Sequence, residues 1–295
     1  MNATKLVFAG LVLFGVVMGV WLLRPDAGPA QDALARVQSA GVLTIGYANE
    51  APFAYLDPST NRVTGEAVEV ARAVAKRLGI AQVDGVLTEF GALIPGLQAG
   101  RYDLIAAGMY ITAPRAQQVA FTDPTYVVGE GFLVPKGNSK KLHSFADVVA
   151  HADARLGVVA GAVEHGYARA LGVPEDRIVV FPDNASGVAG LRAGRCDALA
   201  LTSLTIRDLL QRGADQVLES ATPFTDPVID GRPVRGHGAF ALRTADVALR
   251  EAFNRELRAF LGTPEHAALV QPFGFGPEHL PKGITVEQVL GNGAP

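Results

Sequence analysis

The sequence predicts an α/β fold built as two similar lobes. Three observations carry that prediction. Short β-branched runs alternate with helical stretches from about Asp32 onward, an eleven-residue motif occurs twice, and two glycine- and proline-rich crossings fall where the lobes would join.

The elements follow in order. "VLTIGYA" (Val42–Ala48) is strand-like, with β-branched residues and no helix signal. "EAVEVARAVAKRLG" (Glu66–Gly79) places apolar residues at helical spacing and ends on glycine. "AQVDGVLTEF" (residues 81–90) reads as the next strand, "GALIPGLQAG" as a helix stopping at Gly100, and "YDLIAAGM" (residues 102–109) as a further strand. Strands alternating with helices in this way favour a largely parallel sheet.

The pattern then repeats. "GLQAGRYDLIA" (Gly96–Ala106) aligns with "GLRAGRCDALA" (Gly190–Ala200), identical at seven of eleven positions at a constant offset of 94. Each copy reads as a helix end, a glycine cap, an arginine and a strand opening with aspartate, so Asp103 and Asp197 are expected to begin equivalent strands. The crossings are "GEGFLVPKGN" (Gly129–Asn138) and "DPVIDGRPVRGHGAFAL" (Asp226–Leu242). They divide the chain into lobe 1 at 31–132 with 236–295, and lobe 2 at 133–235. Two crossings form a hinge, and ligands favour the cleft between such lobes.

Composition excludes several classes of function. The 295 residues are 49% hydrophobic with a formal net charge of -3, and no basic run or basic-aromatic stripe invites nucleic acid. One cysteine, Cys196, in the apolar "GRCDALAL", excludes a disulfide framework and a cysteine-rich metal site. The N-terminus is different in kind. After Lys5, the run Leu6–Leu23 carries no charge, and small and polar residues follow, with Gly28-Pro29-Ala30 as a poor cleavage site. This resembles a secretory signal, and the run is barely long enough to remain as an uncleaved anchor. No cysteine follows it, so a lipid anchor on a new N-terminal cysteine is excluded. Residues 1–30 are read as signal peptide or N-terminal anchor, and the rest of the chain as working outside the cytoplasm.

No catalytic signature is present: no G-x-S-x-G elbow, no Walker loop, no H-E-x-x-H. Six histidines (His143, His151, His165, His237, His266 and His279) are scattered, none at ligand spacing, and only His237 sits at a crossing. "GMYITAPRAQQVAFTDP" (Gly108–Pro124) is more informative. Thr112 suits a helix cap and Pro114 an early helical position. Helix-start N–H groups attract an anion, and Arg115 can add a bidentate grip on a carboxylate. On spacing alone, a surface arginine in an ordinary salt bridge fits equally well.

The segments "GYANEAPFAY", "TGEAVEVARAVAKRLG", the stretch "EFGALIPGLQAGRYDLIAAGMYIT-PR---VAFTDPTY" and "GRCDALAL" together resemble the solute-binding proteins of polar amino-acid-type ABC importers, across nearly all of residues 40–275. The resemblance implies a type II, two-lobed periplasmic binding fold: two mixed sheets flanked by helices, joined by a two-strand hinge. It implies that Arg115 holds a ligand carboxylate, assisted by backbone amides near Thr112. It implies no cofactor, no metal and no catalysis, a periplasmic monomer, and ABC permease subunits as the protein partner. The chain departs from the usual pattern where an ammonium-gripping aspartate is expected: Thr202 stands there. The usual hydroxyl-rich loop is "AGAVEHGYA", with Ala162, Val163 and Glu164. "GYANEAPF", "TEFG", "AAGMYIT", "AGAVE-GYAR" and "GHGAFA" are similar to the ectoine- and hydroxyectoine-binding subfamily. That implies an aromatic box of Phe53, Phe90 and Tyr110, with Glu50 and Glu164 as polar partners. Glu130 and Asp123 are read as structural. A cyclic-acid dehydratase on the same fold would need its acid or base from Glu164, Glu50 or His237.

Overall fold

The computed structural model describes residues 32–213, 216–229 and 231–291. The N-terminal apolar run and the Gly28–Ala30 segment lie outside them. Two five-stranded sheets are built to one plan. The first runs Gln82–Leu87, Val42–Tyr47, Leu104–Ile105, Ala241–Leu242, Ala120–Phe121. The second runs Ile178–Phe181, Leu156–Val159, Ala198–Thr202, Glu130–Pro135, Leu218–Ser220. In each, the first three strands are parallel and the fourth is antiparallel to the third. The sheets are therefore mixed, as expected.

The repeated motif occupies equivalent places in the two sheets. The helices Leu93–Gln98 and Asn184–Arg192 are followed by Gly100 and Gly194 at φ +71° and +69°, where glycine is favoured. The aspartates then clamp the neighbouring parallel strand in the same way. Asp103 accepts from the Thr44 N–H at 3.0 Å and Asp197 from the Arg155 N–H at 2.8 Å. Each also donates its own N–H back to the same residue's carbonyl.

Helix Glu66–Arg77 shows why the first lobe closes around its sheet. Val68, Val70, Ala71, Val74 and Ala75 face the core, while acids in its first turn and Lys76 and Arg77 in its last complement the helix dipole. Helix Val247–Phe260, from the far end of the chain, packs Leu249, Phe253 and Leu257 into the same core. A separate core, around Phe132, Phe145, Leu156 and Tyr167, belongs to the second sheet.

Two antiparallel strands, Tyr126–Val128 and Gly236–Gly238, run side by side between the lobes, with Val128 opposite Gly236. Strand Glu130–Pro135 pairs into the second sheet, so the expected division at 132/133 falls inside it, and the first crossing lies at Gly129. Two expected strands are shorter than their sequence patterns. "YDLIAAGM" pairs only at Leu104–Ile105 and then turns at Gly108 toward the cleft. The strand in "AQVDGVLTEF" stops at Leu87, and Phe90 opens a 3₁₀ turn.

Candidate functional site

Ligands in open α/β sheets sit beyond the carboxyl ends of the parallel strands. Here those ends face each other across the lobes. Glu50 and Phe53 follow the strand Val42–Tyr47, Phe90 follows Gln82–Leu87, and Tyr110 follows Leu104–Ile105. From the second lobe, Glu164 follows Leu156–Val159, Asn184 follows Ile178–Phe181, and Thr202 ends Ala198–Thr202. All seven, with Arg115, line one cavity. Thr112 does not line it. Its hydroxyl accepts from the Arg115 N–H at 3.4 Å and caps the helix Ala113–Ala116, so it acts on the arginine rather than on the cavity.

Arg115 is 9% exposed. Its Nη1 donates to the Tyr110 carbonyl and its Nη2 to the Gly161 carbonyl, each at 2.9 Å, and the guanidinium lies 5.4 Å from the centre of the Phe90 ring. Burial draws its pKa down and the Glu164 carboxylate opposes that; an arginine stays charged regardless. Of its five N–H groups, two are engaged by carbonyls, which leaves further donors for an anion.

The acids face this one cation. Glu50 accepts from the Thr205 hydroxyl at 2.9 Å. Burial raises its pKa, while Thr205 and Asn184 pull it back. Glu164 is 4% exposed and is pushed by burial up to about 7. Beside it lies Glu130, whose two oxygens find no protein hydrogen bond. Burial, and then the charge of Glu164, hold Glu130 well above the carboxylate range. Two buried acids that repel one another do not both ionise readily, so Glu130 keeps its proton while Glu164 titrates. Glu130 is therefore more than the structural residue its sequence context suggests. Asp123 keeps its structural place: its N–H donates to Asn254 Oδ1, and its carboxylate accepts from the Asn254 amide and from Arg258.

The aromatic side chains are arranged as a wall. Phe53 lies 5.1 Å from Tyr126, and Tyr126 lies 6.5 Å from Tyr110, edge to face. The Tyr110 hydroxyl is buried and has no hydrogen-bond partner among the described residues. Thr202 lines the cavity and also positions a neighbour. Its hydroxyl accepts from the Thr205 N–H and donates to the Thr205 hydroxyl, both at 3.0 Å, which aims Thr205 at Glu50. Thr205 and Asn184 carry no motif of their own; the offset of 94 does relate Asn184 to Phe90. His237, by contrast, lines a separate groove along the hinge with Arg232 and Arg235.

The lobes are closed on one another. Glu50–Thr205 and Arg115–Gly161 both bridge them, and Arg212 donates to the Tyr55 hydroxyl at 2.6 Å. Gly91 and Gly161 meet backbone to backbone: a Cβ on Gly161 would lie 2.6 Å from the Gly91 Cα. The space left inside is about 30 Å³, far below the roughly 300–1,000 Å³ of an ordinary ligand pocket. Among the described residues no group of side chains forms a metal site, and no helix is long and apolar enough to cross a membrane.

Two mixed sheets of one plan, a paired hinge and an Arg–carboxylate cavity between them define a two-lobed solute-binding protein. Residues 43–277 match the model of the bacterial extracellular solute-binding proteins, family 3, and the chain belongs to that family. It is 41% identical over 249 residues to a probable amino-acid ABC transporter periplasmic-binding protein of Sinorhizobium fredii, covering 84% of this chain and 81% of that one. Among solved structures it resembles EhuB in complex with hydroxyectoine, at TM-score 0.78 and 36% identity, covering 88% of this chain and 98% of that one. It also resembles an ancestral amino acid-binding protein, AncCDT-1, a precursor of cyclohexadienyl dehydratase, at TM-score 0.70 and 27% identity, covering 81% and 98%. The protein is thus the substrate-binding component of an amino-acid-type ABC transporter, working with a membrane permease.

Proposed function

We propose that the interlobe cavity captures ectoine or hydroxyectoine for import, in an exported chain whose lobes part to admit the solute. The observation that carries this reading is the placement of one cation, Arg115, opposite Glu50 and Glu164 within aromatic walls. Ectoine is a small zwitterion with a carboxylate and a ring amidinium whose charge is delocalised. Arg115 suits the carboxylate. The amidinium suits the faces of Phe53, Phe90 and Tyr110, at about 0.5–2 kcal/mol per contact, and its N–H groups suit the two glutamates. A bare α-ammonium would instead call for a carboxylate at position 202, where the Thr202 hydroxyl is spent on Thr205. The likeness to the hydroxyectoine complex supports the same ligand class.

The test is titration calorimetry of the purified protein with ectoine, hydroxyectoine, glycine betaine, proline, glutamate and histidine. Micromolar or tighter binding of the ectoines, lost in Arg115→Ala, is expected. Binding of an amino acid with silence toward the ectoines would overturn the ligand and leave the family standing. Incubation with candidate cyclic acids, followed by NMR for product, tests the dehydratase alternative, for which Glu164 would be the acid.

A further inference from the structure

A second cavity, of about 440 Å³, lies in the first lobe behind the aromatic wall. Its inner lining is Glu66, Tyr126, His266 and Phe275, all buried. Its mouth is formed by exposed residues, among them Ala268, Gln271 and Pro277. The rings of Tyr126 and Phe275 lie 5.3 Å apart, and Phe53 packs on both from the side of the interlobe cavity. One partition therefore separates the two cavities.

The polar groups in this second cavity are unusual. Glu66 is 1% exposed, yet among the described residues neither carboxyl oxygen lies in hydrogen-bond geometry with a donor. It stands at the first position of its helix without accepting from the helix N–H groups. The neighbouring Thr125 hydroxyl, which also makes a long 3.4 Å bond to the Gly238 carbonyl, is the one protein group near enough to draw the Glu66 pKa back, and it offers a single donor to a carboxyl with two oxygens. His266, 2% exposed, accepts from the Gly262 N–H at Nδ1, which leaves Nε2 as a donor with no protein partner. A buried carboxyl without a partner costs several kcal/mol unless something satisfies it. Among the described residues no lysine or arginine lines this cavity.

We infer that this is a second binding site, in which Glu66 receives a small organic ammonium whose hydrocarbon part lies against Tyr126 and Phe275. Aromatic faces and one buried carboxyl are the combination that recognises such a cation. Nothing in the transport cycle as read above uses Glu66. Burial pushes its carboxyl up to about 8, so an incoming ammonium displaces a proton; the other titratable groups around it are Tyr126, His266 and His279.

The test titrates cyclohexylammonium chloride into the purified protein at pH 6 and pH 9, with cyclohexanol as the uncharged control. An alkylammonium stays charged to about pH 10. One equivalent should bind, more tightly at pH 9, and roughly tenfold or more tightly than cyclohexanol. Glu66→Gln should lose that preference. Ala268→Trp, at the exposed mouth, should block entry without disturbing the fold. Glu50→Gln/Glu164→Gln should leave the binding unchanged, which separates this site from the interlobe cavity. Failure to bind, equal binding of cyclohexanol, or loss only in Glu50→Gln/Glu164→Gln would each overturn the proposal.

Discussion

Closure of the lobes can be tested at Gly161. It sits at φ +77°, and its Cβ position lies 2.6 Å from the Gly91 Cα on the opposite lobe, where ordinary contact begins at 3.4–4 Å. Gly161→Ala should therefore hold the lobes about 1 Å too far apart. That displacement breaks the 2.9 Å bond from Arg115 to the Gly161 carbonyl and stretches the 2.9 Å bond between Thr205 and Glu50. Each involves a charged group and is worth about 1.5–3 kcal/mol. The loss corresponds to roughly 10- to 10³-fold in ligand affinity. An alanine in the left-handed region also costs about 1–2 kcal/mol of stability, in open and closed forms alike. Gly172→Ala controls for that cost, because Gly172 is at φ +88° in the same lobe with nothing within 4 Å of its Cβ position. The assays are calorimetry and small-angle scattering with the solute that the wild type binds. Gly172→Ala should bind and contract normally at a lowered Tm. Gly161→Ala should show a similar Tm, weak binding and little contraction. Equal affinity in the two variants would refute the argument that this backbone contact gates closure.

Other expectations follow from the cavity's charges. Arg115→Lys keeps the charge but loses the planar fork, and should weaken binding by roughly 10- to 100-fold in calorimetry, less than Arg115→Ala does. Glu164 must be ionised to hold a cationic group, so affinity should be full above about pH 7 and fall as pH drops through it. Glu164→Gln should flatten that profile. Glu130 is held neutral, so Glu130→Gln should leave affinity at pH 7 within about threefold; a larger loss would mean Glu130 is charged there. Glu66 binds its proton more tightly folded than unfolded. Its contribution to stability is thus full below about 4.5 and lost as pH rises through about 8. Glu66→Gln should accordingly gain in unfolding free energy over wild type between pH 5 and pH 9, by on the order of 4 kcal/mol at most, read as a rising difference in Tm.

The repeat was legible in the chain because it is local. A helix end, a cap glycine and a strand-opening aspartate are fixed by neighbours in sequence, and Asp103 and Asp197 perform the same clamp in both lobes. The helix start that carries Arg115 was legible for the same reason, since Thr112 and Pro114 announce it, whereas the burial of Arg115 in the cavity was not. Glu130, Thr205 and Asn184 were not. Glu130 meets Glu164, and Thr205 meets Thr202, through the folding of lobe 2, and Thr205 and Asn184 meet Glu50 only where lobe 2 closes on lobe 1. Thr202 shows the intermediate case: its position was visible, and its work on Thr205 was not. The truncated strand in "YDLIAAGM" has a related cause, because Tyr110 must leave the sheet to bridge to Gly238 of the hinge.

The paired hinge strands have one more implication. Val128 and Gly236 lie opposite each other, so the chain leaves lobe 1 and returns to it at almost the same place. Lobe 2 is in effect an insert with adjacent ends. A short turn joining Val128 to Gly236 would close lobe 1 over its own core, and residues 130–235 would form a self-contained unit around theirs. The two halves of the cavity would then sit on separate molecules. Their reassociation on adding solute would turn the hinge-closing step into a bimolecular event that can be read by concentration alone.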